Sequence, residues 1–307
     1  MKLGISLPGT DLGPDPLALR DFTQLSEELG YDHLAVYENA LNINPASLPD
    51  WDGVEAPGSS YHDPFVLLGY LAGQTISIEL SVQVLVLAQR QTALVAKQAA
   101  SLDFLSGGRL RLGVGIGWDE KQFIALDEDF SSRGARSAEQ VDVMKALWRD
   151  QYVDFDGKWH RIPDAGINPR PAGNSLEVWF GGKHDNVLQR IARIGDGWMP
   201  LHLAAADEAP REIARAEIET LMGYAEANGR RRDEIGIDGW VSMGAGTADD
   251  WRREILGWRE LGASHITLNT AFDVGHHSRI AGRNFDDHAA AIREYMAVVK
   301  DLFETSS

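Results

Sequence analysis

The sequence predicts an α/β fold, a (β/α)8 TIM barrel over residues 1–307 with loop insertions at its C-terminal face. Three observations carry this reading. Apolar, β-branched runs alternate with helical runs about eight times along the chain. The strand-like runs are apolar on both faces, as in a parallel sheet covered by helices on each side. The length of 307 residues suits a barrel with inserted loops better than a doubly wound sheet, which would need fewer strands.

The elements follow in order. Residues 2–7 read as the first strand, and a helix over 16–29 stops at Gly30. Residues 33–37 form the second strand. A Pro, Asn, Gly and Ser-rich stretch covers 38–62, and the loop over 40–62, carrying Trp51, Asp52, Tyr61 and His62, is long enough for a lid or else is a disordered insertion. Asp63-Pro64 combines an N-cap with proline at the first helical position and opens a helix to about residue 74. A third strand spans 78–87, a helix runs through Ala99, and a fourth strand covers 109–116. Helices over 118–126 and 138–149 precede a short hairpin over 152–162, turned at Asp156-Gly157. The second half continues with strands over 176–180, 197–200, 235–243 and 265–269. Helices over 186–194, 208–228, 249–261 and 286–303 alternate with them.

Charge and composition exclude several functions. A net charge of −17 opposes nucleic acid and anionic membranes. The absence of cysteine removes disulfides and thiolate chemistry and suits a reducing cytoplasm. The opening MKLGISLPGT enters directly as a strand, and no apolar run is long enough to span a bilayer. The expectation is a soluble, acidic, cytoplasmic protein, and composition by itself says nothing of its chemistry.

In a barrel of this kind the chemistry sits where strands end at the C-terminal face. Side chains alternate along the fourth strand, so Arg111, Gly113, Gly115 and Gly117 share one face. Such a face either lets strands pack closely or leaves a floor for a flat ring. It is not a dinucleotide fingerprint, because Trp118 stands where the third glycine would fall. After the strand ending at Phe180, Gly181-Gly182-Lys183-His184 opens a helix. Glycines, a helix N-terminus and a lysine together make a cradle for phosphate, or else a plain strand-to-helix turn. Trp198, one helix later, is either a wall of the site or core. Glu38 and Asn39 close the second strand as a polar pair that contacts a ligand or begins the loop. His276-His277 would suggest a metal only with further ligands, and no carboxylate cluster accompanies them.

The block AKQAASLDFLSGGRLRLGVGIGW, the opening KLGISLP and the segment WFGGKHDNVLQRIARIGDGW resemble the luciferase-like monooxygenase superfamily, in particular its F420/FMN-dependent oxidoreductase branch. The resemblance implies a barrel, a homodimer, and hydride transfer between F420, or alternatively FMN, and a small organic substrate. It implies a non-proline cis peptide at Gln83-Val84 behind the ring. Gly115, Gly117 and Trp118 would flank that ring, with Gly181, Gly182, Lys183 and His184 on the cofactor phosphate. Lys183, Arg133 and Arg136 would supply a basic rim for the acidic tail of F420. The sequence departs from that pattern in two places. Relatives often carry an acid followed by histidine where Glu38-Asn39 stands, and some carry an acid where Trp118 stands. Asparagine cannot exchange a proton, so Glu38 becomes the proton-handling candidate and Asn39 its hydrogen-bonding partner, with His62 or His276 reaching in from loops. Three alternatives remain open: an FMNH2-dependent monooxygenase supplied by a separate flavin reductase, a non-catalytic cofactor-binding paralogue, and a metal-dependent hydrolase built on His276 and His277.

Overall fold

The computed structural model describes residues 1–42, 44, 59–244 and 246–303. The chain opens with β1 (Lys2–Ser6), the short helix α1 (Gly9–Leu12), α2 (Pro16–Leu29), β2 (His33–Val36), α3 (Pro64–Ala72) and β3 (Glu79–Val86). It continues with α4 (Thr92–Ser106), β4 (Leu110–Gly115), α5 (Glu120–Ala125) and α6 (Arg133–Arg149). The hairpin β5 (Val153–Asp156) and β6 (Arg161–Ala165) follows, then β7 (Val178–Gly181), α7 (Asp185–Ile194) and β8 (Gly197–Met199). The last elements are α8 (Glu208–Ala227), β9 (Gly236–Ser242), α9 (Ala248–Glu260), β10 (His265–Asn269) and α10 (Phe285–Val299).

Eight strands close into a parallel barrel in the order β1-β10-β9-β8-β7-β4-β3-β2, while β5 and β6 pair antiparallel outside it. The local signals explain the boundaries. Asp15 and Asp63 cap their helices through carboxylates that accept backbone N–H bonds, each just before a proline. Gly30 and Gly107 end α2 and α4 in the left-handed region, at φ 87° and 75°. Two helices differ from expectation. Asp119 caps α5, so Trp118 lies before the helix, and α6 begins five residues earlier than its apolar periodicity suggests. Trp51 and Asp52, part of the expected lid, lie outside the described residues. No described helix is long and apolar enough to cross a membrane.

The lumen is polar at its base. Arg111 donates to Glu79 at 2.6 Å and to Asp238 at 2.7 Å. Asp238 also accepts from Thr267 at 2.9 Å and from the Gln83 amide at 2.8 Å. His33 lies 2.8 Å from Thr267 Oγ1 and fills the space over Gly4, where a Cβ would sit 2.1 Å from its ring. Burial pushes Asp238 above the usual carboxylate range against the pull of Arg111, and the buried His33 is held well below its usual value.

Gly113, Gly115 and Gly117 share one face, and neighbouring protein atoms occupy the space over all three, with Val86 Cγ1 2.7 Å from where a Cβ on Gly117 would stand. A Cβ on Gly113 would meet the Val82 carbonyl at 2.2 Å and Met199 Sδ at 2.8 Å. A Cβ on Gly115 would meet Val84 Cγ2 at 2.6 Å. The reason is a register shift between β3 and β4: Val82 pairs with Leu112 but Leu85 with Val114, so β3 carries one extra residue. The bulge is at Gln83-Val84, whose peptide bond is cis. Close packing thus accounts for Gly113 and Gly115, and the open cavity lies above Val84.

Candidate active site

A cavity of about 540 Å³ opens at the C-terminal ends of the barrel strands. This is where βα-loops assemble active sites in such barrels, and the volume falls in the range of small-molecule sites. Gln83 and Val84 line it from β3, Gly115 and Gly117 from the end of β4, and Trp118 from the rim. The turn after β7 contributes Gly181, Gly182, Lys183 and His184.

That turn is shaped for close approach. Gly182 has φ +117°, a conformation open to glycine and strained for other residues. His184 is the N-cap of α7 but makes no side-chain capping bond, and the helix has ten residues. Lys183 is exposed and has no hydrogen-bonding or ionic partner among the described residues. Helix N-terminus, glycines and cation meet at one edge of the cavity, which suits a phosphate. Of the two places open to Trp198, site wall and core, the structure shows the core. It is fully buried behind the turn, outside the cavity lining, and its Nε1–H donates to the Gly182 carbonyl at 2.8 Å. The strand alternation explains this, since Met199 points into the lumen and its neighbour Trp198 points out to the helices.

Glu38 lines the cavity, but its carboxylate is already engaged. One oxygen accepts the Val86 N–H at 2.5 Å and the other accepts Arg90 Nε at 2.6 Å. Arg90 also pairs with Asp63 at 2.9 Å. Burial raises the Glu38 carboxyl above its usual range, opposed by Arg90. The geometry makes Glu38 a brace that ties the end of β2 to the end of β3. Asn39 lies outside the lining. Its side chain donates to Asn42 at 2.8 Å and accepts from Gln122 at 2.9 Å, so it fastens the loop and does not pair with Glu38.

Of the two rim arginines, Arg133 lines the cavity. It donates to the Gly117 carbonyl at 3.2 Å and stacks 3.7 Å over Phe130. Arg136 is turned away onto Glu128 and the Ala88 carbonyl. His62 and His276 line other recesses. His277 is buried, with one ring nitrogen 3.0 Å from Ser242 Oγ and the other 2.9 Å from the Leu201 carbonyl. Among the described residues no group of three or more His, Asp or Glu is placed to hold a metal ion.

Sequence reasoning missed the rest of the lining, chiefly Tyr37, Met199, Leu201, Trp240, Phe272 and Val274. Tyr37 and Phe272 lie one and three residues beyond barrel strands, where the rule for such barrels directs attention. Asp238 and Trp240, two apart in an otherwise apolar strand, mark its inward face.

A family profile of luciferase-like monooxygenases matches residues 1–265. The chain belongs to the luciferase-like monooxygenase family. An uncharacterised protein from Mycobacterium bovis is 32% identical over 212 residues, 65% of this chain and 72% of that protein. An F420-dependent glucose-6-phosphate dehydrogenase from Nakamurella multipartita is 27% identical over 241 residues, 76% of this chain and 65% of that protein. The crystal structure of a monooxygenase from Streptomyces bottropensis superposes with a TM-score of 0.77, covering 99% of this chain and 100% of that one at 19% identity. That last likeness establishes the fold. The luciferase-like family includes oxidoreductases and monooxygenases, and both share this barrel.

Proposed function

We propose that the cavity binds a flavin-type cofactor, F420 in preference to FMN, and that the protein moves a hydride between it and a small organic substrate. The observation that carries this reading is the turn at Gly181-Gly182-Lys183, set at a helix N-terminus beside Val84 and opening into the cavity of about 540 Å³. A cofactor of this class supplies the hydride-carrying ring, and the protein supplies binding and orientation.

The residues fit that task. Lys183 and the first turn of α7 would hold the phosphate, and Gly182 lets the backbone come close. Trp198 fixes the Gly182 carbonyl and so the turn itself. Val84, seated between Gly115 and Gly181, would back the ring, with Trp118 at its outer edge. Glu38 acts as a positioning residue: it holds the Val86 N–H and so the strand end beside the bulge. Two cations, Lys183 and Arg133, line the cavity of a chain whose net charge is −17, which favours a cofactor with an acidic tail. The F420-dependent relative supports the same choice.

Titration of the cofactor-free protein with F420 and with FMN, each followed by fluorescence, tests the reading. F420 is expected to saturate the protein and FMN to bind weakly. Saturation by FMN alone would move the assignment to FMN, the cofactor of the monooxygenase alternative with its separate flavin reductase. Binding of neither would overturn it.

A further inference from the structure

The half of the cavity that faces away from the Gly181-Lys183 turn has a different chemistry. Around the closed barrel β7 and β4 are neighbours, while β9, β10, β1 and β2 run together on the far side. From that far side Tyr37, Trp240, Phe272 and Val274 enter the cavity. Tyr37 meets Phe272 edge to face with ring centroids 4.8 Å apart, and meets Trp240 in the same manner at 5.7 Å. Trp240 and Phe272 are buried, so the rings hold one another in a fixed apolar wall.

The polar atoms of Tyr37 and Trp240 are already committed inward. Tyr37 O–H donates to Ser6 Oγ at 2.6 Å. Trp240 Nε1–H donates to Gln83 Oε1 at 3.1 Å, and the Gln83 amide nitrogen is held in turn by Asp238 and Thr267. His277 stands behind Trp240 with centroids 5.3 Å apart, both its nitrogens bonded, and burial pushes it down to about 3, so it is neutral. The Glu38 carboxylate, next to Tyr37 in the chain, is neutralised by Arg90. The cavity's cations, Lys183 and Arg133, come from the turn after β7 and the start of α6, on the other side. An anionic group pressed against the aromatic wall would lose its water and meet no compensating cation among the described residues.

We infer that the wall of Tyr37, Trp240 and Phe272 is the substrate compartment, and that it takes an uncharged, flat, largely apolar molecule, for which a neutral aryl ketone serves as the probe, not a sugar phosphate. The inference rests on the cofactor reading above, because the cofactor must fill the other half for this one to be left to the substrate.

The test uses the full chain loaded with whichever of F420 or FMN saturates it. Tryptophan fluorescence follows titration with acetonaphthone, with acetonaphthone bearing one carboxylate, and with glucose-6-phosphate. The neutral ketone is expected to bind at least ~10-fold more tightly than either anion. Trp240→Leu is expected to weaken the ketone by roughly 10-fold and to leave cofactor affinity within about twofold. Val274→Lys, which adds a cation to the same wall, is expected to bring the carboxylate to equal or better affinity than the ketone. Equal binding of ketone and anions by the unaltered protein would overturn the inference, as would displacement of the cofactor by the ketone. Should neither cofactor bind, the cofactor reading fails by itself. The wall is then judged on cofactor-free protein, where loss of both the ketone preference and the Val274→Lys reversal overturns it too.

Discussion

Val84 occupies the space that Gly115 leaves empty: a Cβ on Gly115 would stand 2.6 Å from Val84 Cγ2. The same side chain fills the space over Gly181, where a Cβ would lie 3.1 Å from Cγ1. One valine, carried inward by the bulge in β3, is thus seated between glycines of β4 and β7 and forms the floor of the cavity.

Gly115→Ala is therefore expected to destabilise the fold by about 1–3 kcal/mol through overpacking. Val84→Ala in the same chain makes room for the new methyl, so the double variant is expected to be more stable than additivity predicts, by about 1 kcal/mol. Denaturant unfolding of the four chains in the cycle checks this. Strict additivity would show that the two positions do not share the space.

Lys183 has no partner among the described residues and stands exposed beside the α7 N-terminus, so its removal has little to disturb in the fold. Lys183→Ala is expected to change stability by less than about 0.5 kcal/mol. It is expected to weaken the phosphorylated cofactor about tenfold, as loss of a charge-assisted bond does. The dephosphorylated form of the same cofactor, titrated in parallel, is expected to lose much less. Equal losses for the two forms would defeat the assignment of this turn to phosphate.

Asp238 is the hub of the lumen, bonded to Arg111, Thr267 and Gln83 and wholly shielded from solvent. Asp238→Ala leaves Arg111 buried with only Glu79 as counter-charge, and a cost of about 3–5 kcal/mol is expected. Asp238→Asn keeps the shape and part of the bonding, so a smaller loss is expected. Because Gln83 also orients Trp240, both variants are expected to alter tryptophan fluorescence. A stability loss under about 1 kcal/mol for the alanine variant would show that the network is already relaxed or hydrated.

The barrel was legible because its signals are local and repeated: apolar strand runs, capped helices and left-handed glycines recur along the chain. The turn at Gly181-Lys183 was legible for the same reason, as strand, glycines, cation and helix are contiguous. The sequence could not reveal what lies over each lumen glycine. Gly113 is covered by Met199 and Gly115 by Val84, from strands far away in sequence, and only the closed barrel brings them together. Glu38 and Asn39 misled for a related reason. A polar pair at a strand end looks poised for chemistry until Arg90, the Val86 N–H, Asn42 and Gln122 are seen to hold it. Trp198 shows the limit of reading by proximity in sequence: it returns to the same rim, yet strand alternation turns it away from the cavity.

His277 gives a pH dependence whose sign follows from its bonds. The Leu201 carbonyl can only accept, so Nε2 carries the proton, and Nδ1 accepts from Ser242 O–H, whose oxygen accepts in turn from Asn269. A neutral ring satisfies every partner. Protonation would place a second N–H against a hydroxyl already used as a donor, inside a buried site. Burial accordingly holds the ring at about 3, down from the ordinary 6.5. Above an ordinary histidine pKa both folded and unfolded chains are neutral here, and the contribution to stability is fully present. As pH falls from about 6.5 toward 3, the unfolded chain takes up the proton first and stability is lost, by roughly 2 kcal/mol at about pH 5. His265, also held at about 3, acts in the same direction, so the two must be separated. The gap in unfolding free energy between the unaltered protein and His277→Gln is expected to shrink by about 2 kcal/mol between about pH 7.5 and pH 5. A gap that stays constant over that range would mean that His277 titrates in the folded protein as it does in the unfolded one.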